Sequence, residues 1–257
     1  MGRLRDRDEI RRRLERDRPW SVYALGDLAP GYWEHSEWYA ADGHPDALAL
    51  IYRAGDLPIL FTLGEPDAIA FVLQELPPEP RVSLSIRVEH LPAIEDRWRV
   101  LYTNAMWRML LDPTAPTPIP AHPVMPVRPQ DEPALRELFQ DGRASGEEPD
   151  FFLPEMLTDG AYFAVSEAGR LLAAAGTHLI APGEGIATLG NVYVRRDRRG
   201  SGLARNVVGA VVVELRRREI TTLALNVRQT NAAALRVYAR LGFRAYCPFL
   251  EGLAELR

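Results

Sequence analysis

The chain contains no lysine. All 31 basic residues are arginine, set against 35 acidic residues and a formal net charge of −4 over 257 residues. That absence excludes a Walker-type phosphate-binding lysine, a Schiff-base lysine and a biotin or lipoyl attachment point. Cys247 is the single cysteine, so no intramolecular disulfide can form and thiolate zinc sites are out. His35, His44, His90, His122 and His178 include no His-x-x-x-His pair, and no metal is expected. Long apolar runs are missing as well. The longest in a helical region, Val207 to Val213, falls far short of the ~20 residues a membrane span needs. The Arg/Asp-rich N-terminus has no apolar signal-peptide core. The slightly acidic balance exerts no broad pull on nucleic acid or anionic membrane. The expectation is a soluble, cytoplasmic protein, monomeric or a homodimer, with neither nucleic acid nor membrane among its partners.

What is present is an ordinary globular composition, 47% apolar and 26% charged, with its proline unevenly distributed. Pro113, Pro116, Pro118, Pro120, Pro123, Pro126 and Pro129 crowd one stretch. Each removes a backbone donor and pins φ, so the stretch reads as an extended connector. It sets the expected domains as 1–112 and 127–257, with a linker at 113–126.

In the C-terminal half, Asp131–Gln140 and Pro149–Thr158 read as helices and Tyr162–Ser166, Leu171–Leu179 and Ile186–Val194 as strands. A strong amphipathic helix spans Gly202–Arg218, with Leu203, Val207, Val211 and Leu215 four apart. Thr222–Val227 is a buried strand, Asn231–Leu241 a helix stopped by Gly242, and Phe243 onward a strand pair. The N-terminal half repeats the order with unrelated residues. Its helices are Arg5–Arg16, Val22–Leu28, Pro66–Leu76 and Leu91–Arg97. Its strands are Trp38–Ala40, Leu48–Tyr52, Ile59–Leu63, Val82–Ile86 and a pair over Val100–Leu111. All five tryptophans lie there, read as core or as the wall of an acceptor pocket.

The chemistry concentrates in Leu189-Gly-Asn-Val-Tyr-Val-Arg-Arg-Asp-Arg-Arg-Gly-Ser-Gly-Leu-Ala-Arg205: a strand, a basic glycine-bearing loop, then a helix. Gly200 and Gly202 let backbone approach a ligand, and the helix start points unpaired N–H groups at it. Arg195, Arg196, Arg198 and Arg199 add positive charge, so the segment suits a phosphate or pyrophosphate. A dinucleotide fingerprint fails, because Arg205 stands where its third glycine belongs.

The segment also matches Arg-x-x-Gly-x-Ala through Arg199, Gly202 and Ala204, and Asn231, Tyr238 and Gly242-Phe243 follow downstream in strand–Asn–helix–Tyr–Gly-Phe order. In these features residues 124–250 resemble the GNAT superfamily of N-acyltransferases. The Leu-Gly-Asn-Val-Tyr-Val lead-in looks most like the glycine N-acyltransferase branch, which pairs a degenerate N-terminal GNAT half with an active one. The resemblance implies an α+β fold of two tandem GNAT-like domains with mixed, mostly antiparallel sheets flanked by helices. It implies acetyl-CoA as co-substrate and a small-molecule amine as acceptor. The alternatives are a non-catalytic CoA-binding or regulatory protein and a protein or peptide N-acetyltransferase.

By the same resemblance, the strands at Ile186–Val194 and Thr222–Val227 splay and the pantetheine arm lies in the gap. Val192, Tyr193 and Val194 would offer backbone to it, the Val194 amide facing the thioester oxygen. Arg199, Gly200, Ser201, Gly202, Leu203 and Ala204 would hold the diphosphate, while Asn226, Asn231 and Ala234 line the channel. Tyr238 would protonate the departing thiolate. Many relatives carry a Glu eleven residues before the motif's Arg; this chain has Thr188, which is no base at neutral pH. His178, Glu184, Glu147 or a water relay would replace it. The acidic Glu147-Glu148-Pro-Asp150 stretch would suit a cationic acceptor. In the N-terminal half the counterpart of the glycine loop is Gly64-Glu-Pro-Asp67, acidic and short of donors, so one CoA per chain is expected.

Overall fold

A computed structural model describes residues 2–149 and 151–257. The chain divides into two compact units. One comprises Met1–Arg108, Val227–Thr230 and Ala245–Arg257, the other Met109–Asn226 and Asn231–Arg244.

The first unit opens with β1 (Gly2–Leu4), α1 (Arg7–Leu14) and α2 (Val22–Gly26). Asp6 caps α1, its carboxylate accepting the Asp8 and Glu9 N–H groups at 2.9 and 3.0 Å. There follow β2 (Ser36–Ala40), β3 (Leu48–Tyr52), β4 (Ile59–Leu63), α3 (Pro66–Gln74), β5 (Arg81–Arg87), α4 (Leu91–Glu95) and β6 (Trp98–Leu111). Strands β1 to β4 pair antiparallel in order, whereas β4 and β5 run parallel with α3 as the crossover. In β5 Val82, Leu84 and Ile86 are buried and the residues between them are not, the alternation of a strand with one face in a core. The chain's last strand joins here, its Phe249–Glu255 lying antiparallel to Arg81–Arg87. Ala245–Arg257 therefore packs with the N-terminal residues, where the expected boundaries kept 127–257 together.

The second unit contains β7 (Met125–Pro126), α5 (Glu132–Gln140), α6 (Met156–Asp159), β8 (Phe163–Glu167), β9 (Arg170–Ala181), β10 (Ile186–Val194), α7 (Leu203–Arg217), β11 (Thr222–Arg228), α8 (Ala232–Arg240) and the start of β12 (Phe243–Leu256). Its sheet is mixed: β7 to β10 are antiparallel neighbours and β10 pairs parallel with β11. Leu171 to Thr177 of β9 are buried without a break, as expected of a strand covered on both faces; α5 and α7 both pack on it.

Three expectations need correction. Neither Val100–Leu111 nor the segment from Phe243 is a strand pair; β6 and β12 are single strands of 14 residues each. Gly252 inside β12 allows a close approach to Tyr102 and Thr103 and does not make a turn. Of the helix expected over Pro149–Thr158 only Met156–Asp159 forms, since Pro154 disfavours helical backbone in the residue before it; Asp150 lies outside the described residues. The two- and three-residue strands β7 and β1 had no legible sequence signal. Among the described residues no helix is long and apolar enough to cross a membrane.

Candidate functional site

The parallel ladder between β10 and β11 runs from Ile186 opposite Thr222 to Leu189 opposite Leu225 and stops there. From Gly190 onward, β10 keeps only its β9 side. The Arg195 N–H donates to the Leu172 carbonyl at 2.9 Å, and Val194 stands opposite Ala173. Bonding alternates along an antiparallel ladder, so the Val194 N–H and C=O turn to the edge that β11 has left. The Val194 carbonyl there accepts from Arg199 Nε at 3.4 Å, and the strand ends with the Val194 N–H beside a gap.

The glycine loop follows directly. Gly200 and Gly202 hold φ of +80° and +83°, with nothing within 4 Å of where a Cβ would be. No side chain caps α7 at Gly202, which leaves first-turn N–H groups for a ligand. Leu203 is buried and Ala204 half-buried. Ser201 Oγ donates to the Arg198 carbonyl. Arg199 is held by Glu147 through two bonds of 2.8 and 3.1 Å, which lowers the Glu147 pKa and raises that of Arg199. Glu148 is paired with Arg143 in the same way. The two described carboxylates of the acidic stretch are thus engaged within the protein, where the expectation had them facing a cationic acceptor.

Sequence reasoning missed Asp141, just after α5. Its Oδ2 accepts from the Arg196 N–H and the Tyr193 hydroxyl, each at 3.0 Å, and Arg195 approaches Oδ1 at 3.7 Å. These interactions, the backbone N–H first, lower its pKa and fasten the β10–α7 loop. The Tyr193 side chain consequently faces α5, packed on Phe139, and only its backbone belongs to β10's exposed end. No local motif announces Asp141, because its partners lie more than fifty residues away.

Asn191 was missed as well. It has φ of +52° inside the irregularity between Gly190 and Tyr193 on β10. A second irregularity, between Thr188 and Leu189, leaves His178 as the extra residue on β9. His178 Nε2 lies 3.3 Å from Asn191 Oδ1, Asn191 Nδ2 donates to the Tyr162 hydroxyl at 2.7 Å, and that hydroxyl donates to the Thr177 carbonyl at 3.1 Å. Followed from the carbonyl back, the chain puts the imidazole proton on Nε2 and the lone pair on Nδ1. Burial lowers the His178 pKa, so the ring is neutral at neutral pH. A Cβ on Gly190 would fall on this imidazole. His178 therefore covers the first β10 residue beyond the parallel ladder.

The other proposed bases fare differently. Glu184 lies in the turn before β10 at its paired end, and about 13 Å of strand separates Ile186 from Gly190. Glu147 is bonded to Arg199. Thr188 is fully buried and its Oγ1 has no hydrogen-bond partner among the described residues. Asn231 caps α8, its Oδ1 accepting the Ala234 N–H at 3.0 Å, so both residues serve the helix. Tyr238 is 7% exposed with its ring 6.0 Å from that of Phe243. Asn226 ends the second unit's part of β11, one residue past the last parallel pair.

Residues 132–243 match the model of the acetyltransferase (GNAT) family. The ribosomal protein bS18-alanine N-acetyltransferase of Escherichia coli K12 is 35% identical over 96 residues, which is 35% of this chain and 63% of that protein. The mycothiol acetyltransferase of Thermobispora bispora is 31% identical over 158 residues, 54% of each chain. The alignments thus span about half to under two thirds of these relatives. A solved structure from Novosphingobium aromaticivorans, assigned to the GNAT family of acetyltransferases, superposes with a TM-score of 0.64 at 22% identity, covering 94% of this chain and all of that one. The chain therefore has the GNAT acyltransferase fold, a mixed sheet flanked by helices.

Proposed function

We infer, for a chain whose residues 132–243 match the model of the acetyltransferase (GNAT) family, that it transfers an acetyl group from acetyl-CoA to an amine. The observation that carries this reading is the end of the β10–β11 ladder at Leu189 and Leu225, directly before an uncapped, glycine-led helix. The gap would take the pantetheine arm along Val192, Tyr193 and Val194, and the N–H groups of Gly200 to Ala204 would take the diphosphate. Glycine fits here: its missing Cβ leaves the approach open at both positions.

The reaction needs three services from the protein. The amine nitrogen attacks the thioester carbon, negative charge grows on the carbonyl oxygen, and the Val194 N–H is the donor turned toward it. The ammonium formed must lose a proton, and neutral His178, with its lone pair on Nδ1, is the proposed acceptor. The C–S bond then breaks and the thiolate takes a proton from the Tyr238 hydroxyl. Asn226 and Asn231 would flank the arm, Asn231 while still capping α8.

The acceptor is proposed to be a small-molecule amine. Glu147 and Glu148 are paired internally, so neither is held ready for a cationic acceptor. Its relatives are named for a ribosomal-protein alanine and for mycothiol, so the test spans both kinds. Thiol release from acetyl-CoA is to be followed with amino acids, polyamines, amino sugars and alanine-led peptides. Release with a small amine supports the reading, and release with peptides alone moves the acceptor to protein. Tight CoA binding without release on any amine would leave a CoA-binding regulator. The β4–α3–β5 crossover of the first unit has the same parallel order as β10–α7–β11, which supports a tandem duplication. Its turn, Gly64-Glu-Pro-Asp67, is acidic, so a single CoA per chain is proposed.

A further inference from the structure

In the first unit, β6 carries a buried charge that nothing nearby neutralises. Arg108 is 1% exposed, and its Nε and Nη1 have no hydrogen-bond partner among the described residues. Glu251 and Asp17 act on it through charge alone, without a bond. Asp17 is engaged elsewhere, by the Tyr246 hydroxyl at 2.7 Å and the Trp20 N–H at 3.2 Å. Arginine keeps its proton inside proteins, so this side chain cannot escape the cost of burial by becoming neutral. An apolar side chain of similar volume would fill the space without stranded donors.

What surrounds the cation is aromatic. The guanidinium carbon lies 4.7 Å from the Tyr23 ring centroid, 5.2 Å from that of Trp20 and 5.3 Å from that of Phe249. Ring faces offset part of the charge but supply no lone pair, so the N–H donors remain to be met. The cage is also held in place. Trp20 is fully buried, its indole N–H donates to the Thr62 carbonyl at 2.9 Å, and its ring stacks on Phe61 at 5.2 Å. Phe249, also fully buried, meets Trp20 edge-on at 5.4 Å. Tyr23 on α2 is half-buried, and the cage is nearest to solvent on its side.

We propose that Arg108 and these three rings form a binding site for a small organic carboxylate with an aromatic or apolar body. The carboxylate oxygens would take the open guanidinium donors, a pairing for which that planar fork is shaped. The rings would cover the body. One cation among rings matches a monoanion, whereas a phosphate dianion would bring charge left uncompensated. Trp20, Tyr23, Arg108 and Phe249 all belong to the first unit and lie outside residues 132–243. The site is therefore independent of the acyl-transfer reading and gives the first unit a ligand of its own.

The test is calorimetry and thermal unfolding of the full chain with benzoate, with its neutral counterpart benzamide and with chloride. It is run on the native protein, Arg108→Met and Arg108→Lys. Benzoate is expected to bind the native protein and raise its melting temperature, and benzamide is not. Arg108→Met should weaken benzoate about 10- to 100-fold. Relieved of a buried charge, it should melt no lower than the native protein without ligand. Arg108→Lys keeps the charge without the fork and should bind benzoate with intermediate strength, a check that stands even if Arg108→Met does not fold. No binding of benzoate by the native protein, equal binding of benzamide, or native affinity in both variants overturns the proposal. A response to chloride as strong as that to benzoate overturns it too, since the site would then hold a simple ion.

Discussion

His178 and Asn191 each occupy an irregularity in neighbouring strands, and their side chains meet at 3.3 Å over the bare Cα of Gly190. Back-to-back bulges are costly to a sheet, since each leaves residues unpaired. Here they turn a buried polar chain, from the Thr177 carbonyl through Tyr162 and Asn191, toward the point where β10 and β11 part. The arrangement fixes which imidazole nitrogen carries the proton and leaves the lone pair on the other, as a base needs.

Replacing His178 with Gln keeps a hydrogen-bonding group of similar reach and removes the base. Turnover is expected to fall by about 10²- to 10⁴-fold with little change in CoA affinity. The pH profile supplies a second check. Burial favours the neutral ring, so the folded pKa lies below the ordinary histidine value. The acidic limb of the native rate profile is therefore displaced to lower pH than an exposed histidine would give, and it is absent in the variant. A variant with native turnover would remove His178 from the mechanism.

Asp141→Asn tests the loop clamp. The neutral amide keeps the shape but weakens the bond from the Arg196 N–H and loses the attraction to Arg195. CoA is expected to bind several-fold more weakly, by about 0.5–1.5 kcal/mol, with the unfolding midpoint nearly unchanged. The Asp141 pKa is lowered in the folded protein, so its contribution is complete above the ordinary carboxylate range and is lost as pH falls through the lowered value. Native CoA affinity measured down through mildly acidic pH should hold, while that of the variant starts weaker and has no such limb.

The parts of this site that were legible in sequence are those whose physics is local. Gly200, Gly202 and the apolar stripe of α7 announce a glycine-led helix within one short window. The strand Ile186–Val194 was read with its observed bounds. What stayed hidden depends on partners far apart in sequence. Asp141 acquires a role only when β10 brings Tyr193 and Arg196 to it, and the acidic stretch loses its expected one once Arg199 reaches Glu147. The place of His178 over Gly190 follows from the strand register, which no local motif announces. The proline-rich segment behaves likewise. Its prolines predict an extended connector, yet only the bonds from Asn206 to His122 and from Arg216 to the Ala115 carbonyl reveal that it lies along α7.

Glu147→Gln addresses the pair that holds Arg199. Both side chains are a little over two-fifths exposed, so the bond contributes at most about 1 kcal/mol. Loss of the carboxylate removes a competing anion from the mouth of the proposed diphosphate site. CoA is expected to bind about two- to fivefold tighter at low salt, an advantage that fades as ionic strength rises. Weaker binding in calorimetry would mean that Glu147 supports the site by ordering the loop and does not compete for it.

Two glycines separate packing from ligand approach. At Gly190 a methyl group would land on the His178 ring, so Gly190→Ala should destabilise the fold by about 1–3 kcal/mol and disturb the imidazole. Gly200 has open space around it but φ of +80°, so Gly200→Ala should cost roughly 1 kcal/mol in backbone strain with no clash. Its Cβ would stand in the path of the diphosphate. The two variants should therefore part company in paired measurements of melting temperature and CoA affinity. Gly190→Ala is expected to lose more stability and turnover than cofactor binding, and Gly200→Ala chiefly cofactor binding. If Gly200→Ala bound CoA like the native protein, the diphosphate would have to sit elsewhere than on this loop.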